Sequence, residues 1–213
     1  MSVFHELARF GVVPVIVLDR AEDALPLADA LIAGGLPLAE ITLRTPQALA
    51  GLAEIARHRP AMLVGAGTVL TEDQVHEAKA AGARFALSPG IDPLVLTEAQ
   101  GAGLPFAPGI ATATEVQMAL RAGCEMVKFF PAVPAGGIAL LKSIAAPYVH
   151  TGLGYNPTGG VTAETLGDWL ALPQVRAVGG TWIATQADIA TGAWEAIAHK
   201  ARAAVDLVTR LRG

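Results

Sequence analysis

One cysteine, Cys124, stands in a chain of 213 residues, so neither an intramolecular disulfide framework nor a multi-cysteine zinc site can form. Aromatic residues make up 5% and charged residues 16%, with 15 Lys+Arg against 19 Asp+Glu and a formal net charge of −4. No basic cluster is available to track a phosphate backbone, which argues against a nucleic-acid partner. Uninterrupted apolar runs fall short of the ~18 residues a membrane span needs. The opening segment MSVFHELARF carries His5, Glu6 and Arg9 where a signal peptide needs apolar continuity. A soluble cytoplasmic protein is expected, with no membrane partner. The five histidines (His5, His58, His76, His150 and His199) show no metal-ligand spacing, and no metal is expected.

Hydrophobicity is what the chain has in quantity. At 53% of residues it is too high for disorder, and a chain of this size should bury roughly 70% of the surface that unfolding would expose. Some of it hints at a buried subunit interface.

Short apolar runs alternate with amphipathic segments. The spacing predicts strands over Val12–Leu18, Leu38–Leu43, Ala61–Ala66, Arg84–Leu87, Leu104–Ala107, Glu125–Phe129, Tyr148–Gly152 and Val175–Val178. Helices are expected between them, including Ala21–Ala33 before Gly34-Gly35, one from Pro46, one capped by Thr71 with Gln74, Thr162–Leu170, and a last one from about Ala187 to Arg212. A short helix should precede the first strand. Eight strand–helix units in one domain, 1–213, imply a parallel sheet closed into a small (β/α)8 TIM barrel. An open doubly wound sheet is the competing architecture, but Gly65-Ala66-Gly67 does not complete its dinucleotide-binding glycine pattern.

Barrel chemistry sits at the C-terminal ends of the strands. Of the four lysines, Lys79, Lys142 and Lys200 fall in amphipathic helices, whereas Lys128 lies inside an apolar strand between Val127 and Phe129. Burial disfavours an ammonium, and a free amine in a dry pocket adds to a carbonyl to give a Schiff base. The plainer alternative is a lysine that snorkels to solvent or pairs with a carboxylate. In AEITLRT, the alternation of two places Leu38, Glu40, Thr42 and Arg44 on one face. Glu40 toward the barrel axis is a general acid/base candidate, and Arg44 suits bidentate capture of a carboxylate. A Glu40–Arg44 or Glu40–Lys128 ion pair of purely structural use stays open. Gly65-Ala66-Gly67-Thr68 allows close backbone approach with a hydroxyl donor. Thr158-Gly159-Gly160 and Gly179-Gly180-Thr181 follow the last two predicted strands, where barrels commonly cradle phosphate. His150 lies near the end of the predicted seventh strand. Cys124 suits a small buried hydrophobe, and Trp169, Trp182 and Trp194 suit packing.

Together, EITLRT (40–45), VGAGTVL (64–70), LSPG (87–90), PFAPGIATATE (105–115), KFFPA (128–132), PTGG (157–160) and VGGTW (178–182) resemble the 2-keto-3-deoxy-6-phosphogluconate (KDPG) and 4-hydroxy-2-oxoglutarate (KHG) class I aldolases. The resemblance implies that Lys128 carries pyruvate as a Schiff base and that Glu40 moves protons through water. It also implies that Arg44 and Thr68 bind the pyruvate carboxylate, with Pro89, Phe130 and Thr158 shaping the pocket. Gly159, Gly160, Gly179, Gly180 and Thr181 would take the phosphate of the glyceraldehyde 3-phosphate half. It further implies a homotrimer, a small-molecule substrate and no cofactor. Cleavage of the galactonate epimer, or a phosphate-binding barrel isomerase or epimerase, are the alternatives. The chain departs from the family pattern at Val17-Leu18, where many relatives carry arginine, and at Thr181, where serine is common. A longer Tyr148–Asn156 segment puts His150, Tyr155 and Asn156 in a position to alter aldehyde choice.

Overall fold

The computed structural model describes residues 2–212. Its strands are β1 (Val12–Ile16), β2 (Leu38–Thr42), β3 (Leu63–Gly67), β4 (Ala86–Leu87), β5 (Phe106–Ala107), β6 (Gly109–Ile110), β7 (Met126–Phe129), β8 (Gly154–Pro157) and β9 (Val178–Gly180). Pro108, which has no N–H for a ladder, separates β5 from β6, and the two make one stave of the barrel. The parallel order β5-β4-β3-β2-β1-β9 continues through that stave into β6-β7-β8. A bridge between Thr158 and Gly179 closes β8 onto β9. The result is a (β/α)8 barrel. Closure explains why nearly every strand residue is buried: one face meets the helix layer and the other fills the interior.

The helix Val3–Phe10 precedes β1, with the Ser2 hydroxyl accepting the Phe4 N–H. The Thr71 hydroxyl caps the helix Glu72–Ala80 by accepting the Gln74 N–H, but the Gln74 side chain takes the Leu70 N–H rather than that of Thr71. The box is displaced by one residue. Thr112 and Glu115 form a complete one at the helix Ala113–Arg121.

Three expectations need correction. Tyr148–Gly152 is not the seventh strand: Ala146–Thr151 is a 3-10 turn with no buried residue, started by Pro147 and ended by left-handed Gly152. The strand is Gly154–Pro157, whose Gly, Asn and Pro carry little β-propensity and which is ordered by pairing with β7. His150 is therefore exposed, ahead of the strand instead of at its end. The helix Thr162–Leu170 shortens to Leu166–Leu170, because the Thr165 hydroxyl holds Thr162 in a turn. The last helix is two, Gln186–Ala190 and Trp194–Arg212, broken at Gly192 with φ +67°. No described helix is long and apolar enough to cross a membrane.

Candidate active site

Inside the barrel, register decides which side chains meet. Glu40 pairs with Val15 and Gly65, Lys128 with Gly109 and Asn156, and Thr42 with Gly67. The outward residues of β7 and β8 pack on the helix layer, as when Phe129 meets Trp169 with ring centroids 6.4 Å apart. The inward residues converge. Lys128 Nζ donates to Glu40 Oε1 at 2.9 Å, with Lys128 4% exposed and Glu40 not at all. A charged pair this deep needs close geometry to offset desolvation. The Phe130 ring adds an aromatic face 5.6 Å from Nζ.

Glycine makes the room. A Cβ on Gly67 would lie 2.2 Å from Glu40 Oε1, so the carboxylate occupies the space a side chain would fill. A Cβ on Gly65 would lie 2.4 Å from the Phe85 ring, which fills the interior on the other side. On Gly109 it would meet the Pro89 carbonyl at 2.0 Å, bringing the Pro89–Gly90 backbone against the β5–β6 stave that pairs with the Lys128 strand. The importance of Phe85 and Gly109 is not visible in the sequence, because their effect depends on who faces them across the barrel.

Three buried polar atoms have no partner among the described residues: Glu40 Oε2, Asn156 Nδ2 and the Tyr155 hydroxyl. Asn156 and Tyr155 sit on opposite faces of β8 by alternation. Asn156 faces in with Lys128, whereas Tyr155 faces the helix layer, where burial pushes its phenol up to about 12.

The other sequence candidates ring the mouth. β2 ends at Thr42, whose hydroxyl donates to the Ile16 carbonyl, so Arg44 leaves the strand in a turn and is exposed, and does not continue the strand face that carries Glu40 and Thr42. Thr68 is half-buried and is the one described non-glycine residue with positive φ, 57°. Such a conformation costs on the order of 1–3 kcal/mol and persists where the surroundings over-determine it. Here the Leu43 N–H donates to the Gly67 carbonyl and the Val69 N–H to the Leu87 carbonyl, fixing both flanks. Pro89 and Phe130 are half-buried.

At the ends of β8 and β9 the site changes character. Thr158 is buried, its hydroxyl donating to Asn156 Oδ1 at 2.7 Å, and a Cβ on Gly179 would strike that hydroxyl. Gly159 and Gly160 have φ of +99° and +81°. The Ala132 and Val133 N–H groups donate to the Thr158 and Gly159 carbonyls, bracing this turn against the segment after Lys128. The Gly159 and Gly160 N–H groups have no protein acceptor among the described residues. Gly180 is buried under the Trp182 ring, and Thr181 is exposed. The start of the Gln186–Ala190 helix already holds a carboxylate, Asp188, which accepts from Thr185 and from Lys200 at 2.7 Å. Free backbone donors for an anion therefore lie in the glycine turns, not at that helix.

Cys124, just ahead of β7, is half-buried, and burial pushes its thiol up to about 11. That is the opposite of an activated nucleophile.

A family model described as KDPG and KHG aldolase matches residues 3–200. The chain is 45% identical over 192 residues, 90% of each protein, to 2-dehydro-3-deoxy-phosphogluconate aldolase of Treponema pallidum. It is 40% identical over 195 residues, 92% of this chain and 91% of the relative, to KHG/KDPG aldolase of Escherichia coli. Among solved structures, KDPG aldolase of Legionella pneumophila, with pyruvate captured as a covalent carbinolamine, superposes with a TM-score of 0.91 at 41% identity. That match covers 95% of this chain and 98% of the other.

Proposed function

The chain belongs to the KDPG and KHG aldolase family, and from that premise we propose that it cleaves 2-keto-3-deoxy-6-phosphogluconate to pyruvate and glyceraldehyde 3-phosphate through an imine on Lys128. It is a lyase of class I type. The observation that carries the assignment of roles is the buried Lys128 Nζ–Glu40 Oε1 contact of 2.9 Å. A carboxylate at that distance can take the proton that Nζ must lose before its lone pair attacks.

Attack on the C2 ketone forms the C–N bond and moves the carbonyl pair to oxygen, which takes up two protons, one of them lost by the nitrogen, and leaves as water as the C=N bond forms. The resulting iminium draws the electrons of the C3–C4 bond into an enamine as a base removes the C4 hydroxyl proton, releasing the aldehyde. Protonation of the enamine at C3 and hydrolysis of the imine release pyruvate and return the lysine. Glu40, with Oε2 free of protein partners, serves these proton movements through water. Arg44 and Thr68 take the carboxylate, Pro89, Phe130 and Thr158 wall the pocket, and Gly159, Gly160, Gly179, Gly180 and Thr181 take the phosphate. Cleavage of 4-hydroxy-2-oxoglutarate to pyruvate and glyoxylate is a second activity, favoured because the Escherichia coli relative carries both substrates in its name and both share the pyruvate half.

We also propose a homotrimer. The exposed apolar side chains Leu70, Leu94 and Val133, in the loops and first helical turns that follow β3, β4 and β7, support burial against a partner copy, and light scattering would return three times the 21.8 kDa chain mass.

The deciding experiment is borohydride reduction with pyruvate, followed by peptide mapping. A pyruvate adduct confined to Lys128 is expected. No adduct, or one spread over Lys79, Lys142 and Lys200, would overturn the imine assignment and favour an isomerase.

A further inference from the structure

Asn156 is fully buried on β8, directly opposite Lys128 in the parallel register of β7 and β8. Neighbouring strands lie about 4.8 Å apart, so the two side chains rise together into the barrel. The Thr158 hydroxyl donates to Asn156 Oδ1 at 2.7 Å, which fixes the amide and leaves Nδ2 as its free end. Nδ2 is shielded from solvent and has no partner among the described residues.

A buried donor left unmade is destabilising, and an apolar side chain of similar shape would avoid that cost. Asn is also a poor strand residue. The other unpartnered atom facing the interior is Glu40 Oε2. Glu40 bonds Nζ and Asn156 stands beside it, yet the two do not bond each other. An oxygen lodged against Nζ would find a carboxylate from one strand and an amide donor from another.

We propose that Asn156 Nδ2 donates a hydrogen bond to the C2 oxygen of the keto acid as Lys128 attacks, a role that rests on the imine chemistry proposed above. When Nζ adds to C2, the carbonyl pair moves to oxygen. A positioned N–H gains strength as that charge develops and needs no reorganisation. Asn156 transfers no proton. The oxygen is protonated by the acid form of Glu40 or a water it holds, and it departs as water when the imine forms.

The test compares wild-type protein with Asn156→Leu, close in shape and lacking the donor, and with Asn156→Ala, which cannot overfill the site. Two quantities are read: the rate at which pyruvate becomes reducible onto Lys128, and Tm. Both variants should form imine roughly 100-fold more slowly, in line with the loss of one preorganised donor. Tm of Asn156→Leu should lie close to wild type, because removing the unmade Nδ2 donor offsets the loss of the acceptor for the Thr158 hydroxyl. Imine formation within twofold of wild type in both variants would overturn the proposal. So would a Tm of Asn156→Leu that falls in step with its rate, which would mark a structural role. A change confined to KM for the phosphorylated substrate would also overturn it, by assigning Asn156 to the aldehyde half. If wild-type protein gives no adduct on Lys128, the imine assignment fails first and this role with it; an adduct on wild type with unaltered variants sinks only the role of Asn156.

Discussion

Lys128, Glu40 and Asn156 are side chains on strands, buried and locked by ladder registers, whereas Gly159, Gly160 and Thr181 are turn residues, half-buried or exposed, that offer backbone. The first region presents a charged pair at 2.9 Å and two unmade polar atoms facing the interior. The second presents left-handed glycines braced by the segment that follows Lys128. The contrast follows from the tasks proposed for each. Proton transfer and attack on carbon need sub-ångström placement, which strands supply. An anion needs several N–H donors at close approach, which glycine turns supply.

If that division holds, the largest effect comes from Lys128→Met. It removes the amine without adding charge, and turnover should fall by roughly 10⁴-fold or more, since nothing replaces a covalent nucleophile. The chain should also lose about 3–5 kcal/mol in urea unfolding at neutral pH, because Glu40 is left as an unpaired buried charge. Turnover above one-hundredth of wild type would mean that the amine is not the nucleophile. Glu40→Gln keeps the shape and loses the proton carrier; kcat should fall about 10²–10⁴-fold, with a smaller change in KM if its role is confined to proton transfer.

The turn region should respond differently. Gly160→Ala places a Cβ against Val133 at a φ of +81°. Strain of about 1–2 kcal/mol should raise KM for the phosphorylated substrate roughly tenfold, while the rate of pyruvate trapping on Lys128 stays within twofold. Equal losses in both assays would erase the distinction between the regions.

The smallest effect concerns Asp188, in the helix that follows the Gly179–Thr181 turn. Burial pushes its carboxyl up, but the bonds from Lys200 and Thr185 outweigh that and hold it below its ordinary 3.8. A folded pKa below the unfolded one means stabilisation that is present above the ordinary carboxylate value and is lost as pH falls through the folded value. Asp188→Ala should therefore cost roughly 1 kcal/mol at pH 7, and the gap from wild type should narrow on approaching pH 3. A gap independent of pH would assign the whole effect to packing.

The strand bearing Asn156 shows where sequence pattern stops being informative. Tyr148–Thr151 holds β-branched residues yet forms a turn, while Gly154-Tyr155-Asn156-Pro157 has weak strand propensity yet pairs with β7 along its length. Local preference of a few tenths of a kcal/mol per residue gives way to a vacant ladder edge and a buried face. By contrast, Lys128 was identifiable because a lone lysine in an apolar strand breaks a pattern, and Glu40 because alternation sets it against its apolar neighbours.

The amino-acid sequence by itself determined the βα rhythm, the barrel class, the strand-borne lysine and carboxylate, and the two glycine turns after the last strands. These depend on periodicity and residue type, which are local. Only the tertiary structure decided that Glu40 meets Lys128 across the barrel, that Gly65 and Gly67 are small because Phe85 and Glu40 need their space, and that Asn156 stands beside the amine with a donor to spare. Those relations join residues as much as 88 positions apart, and they exist only once shear and register have closed the sheet on itself.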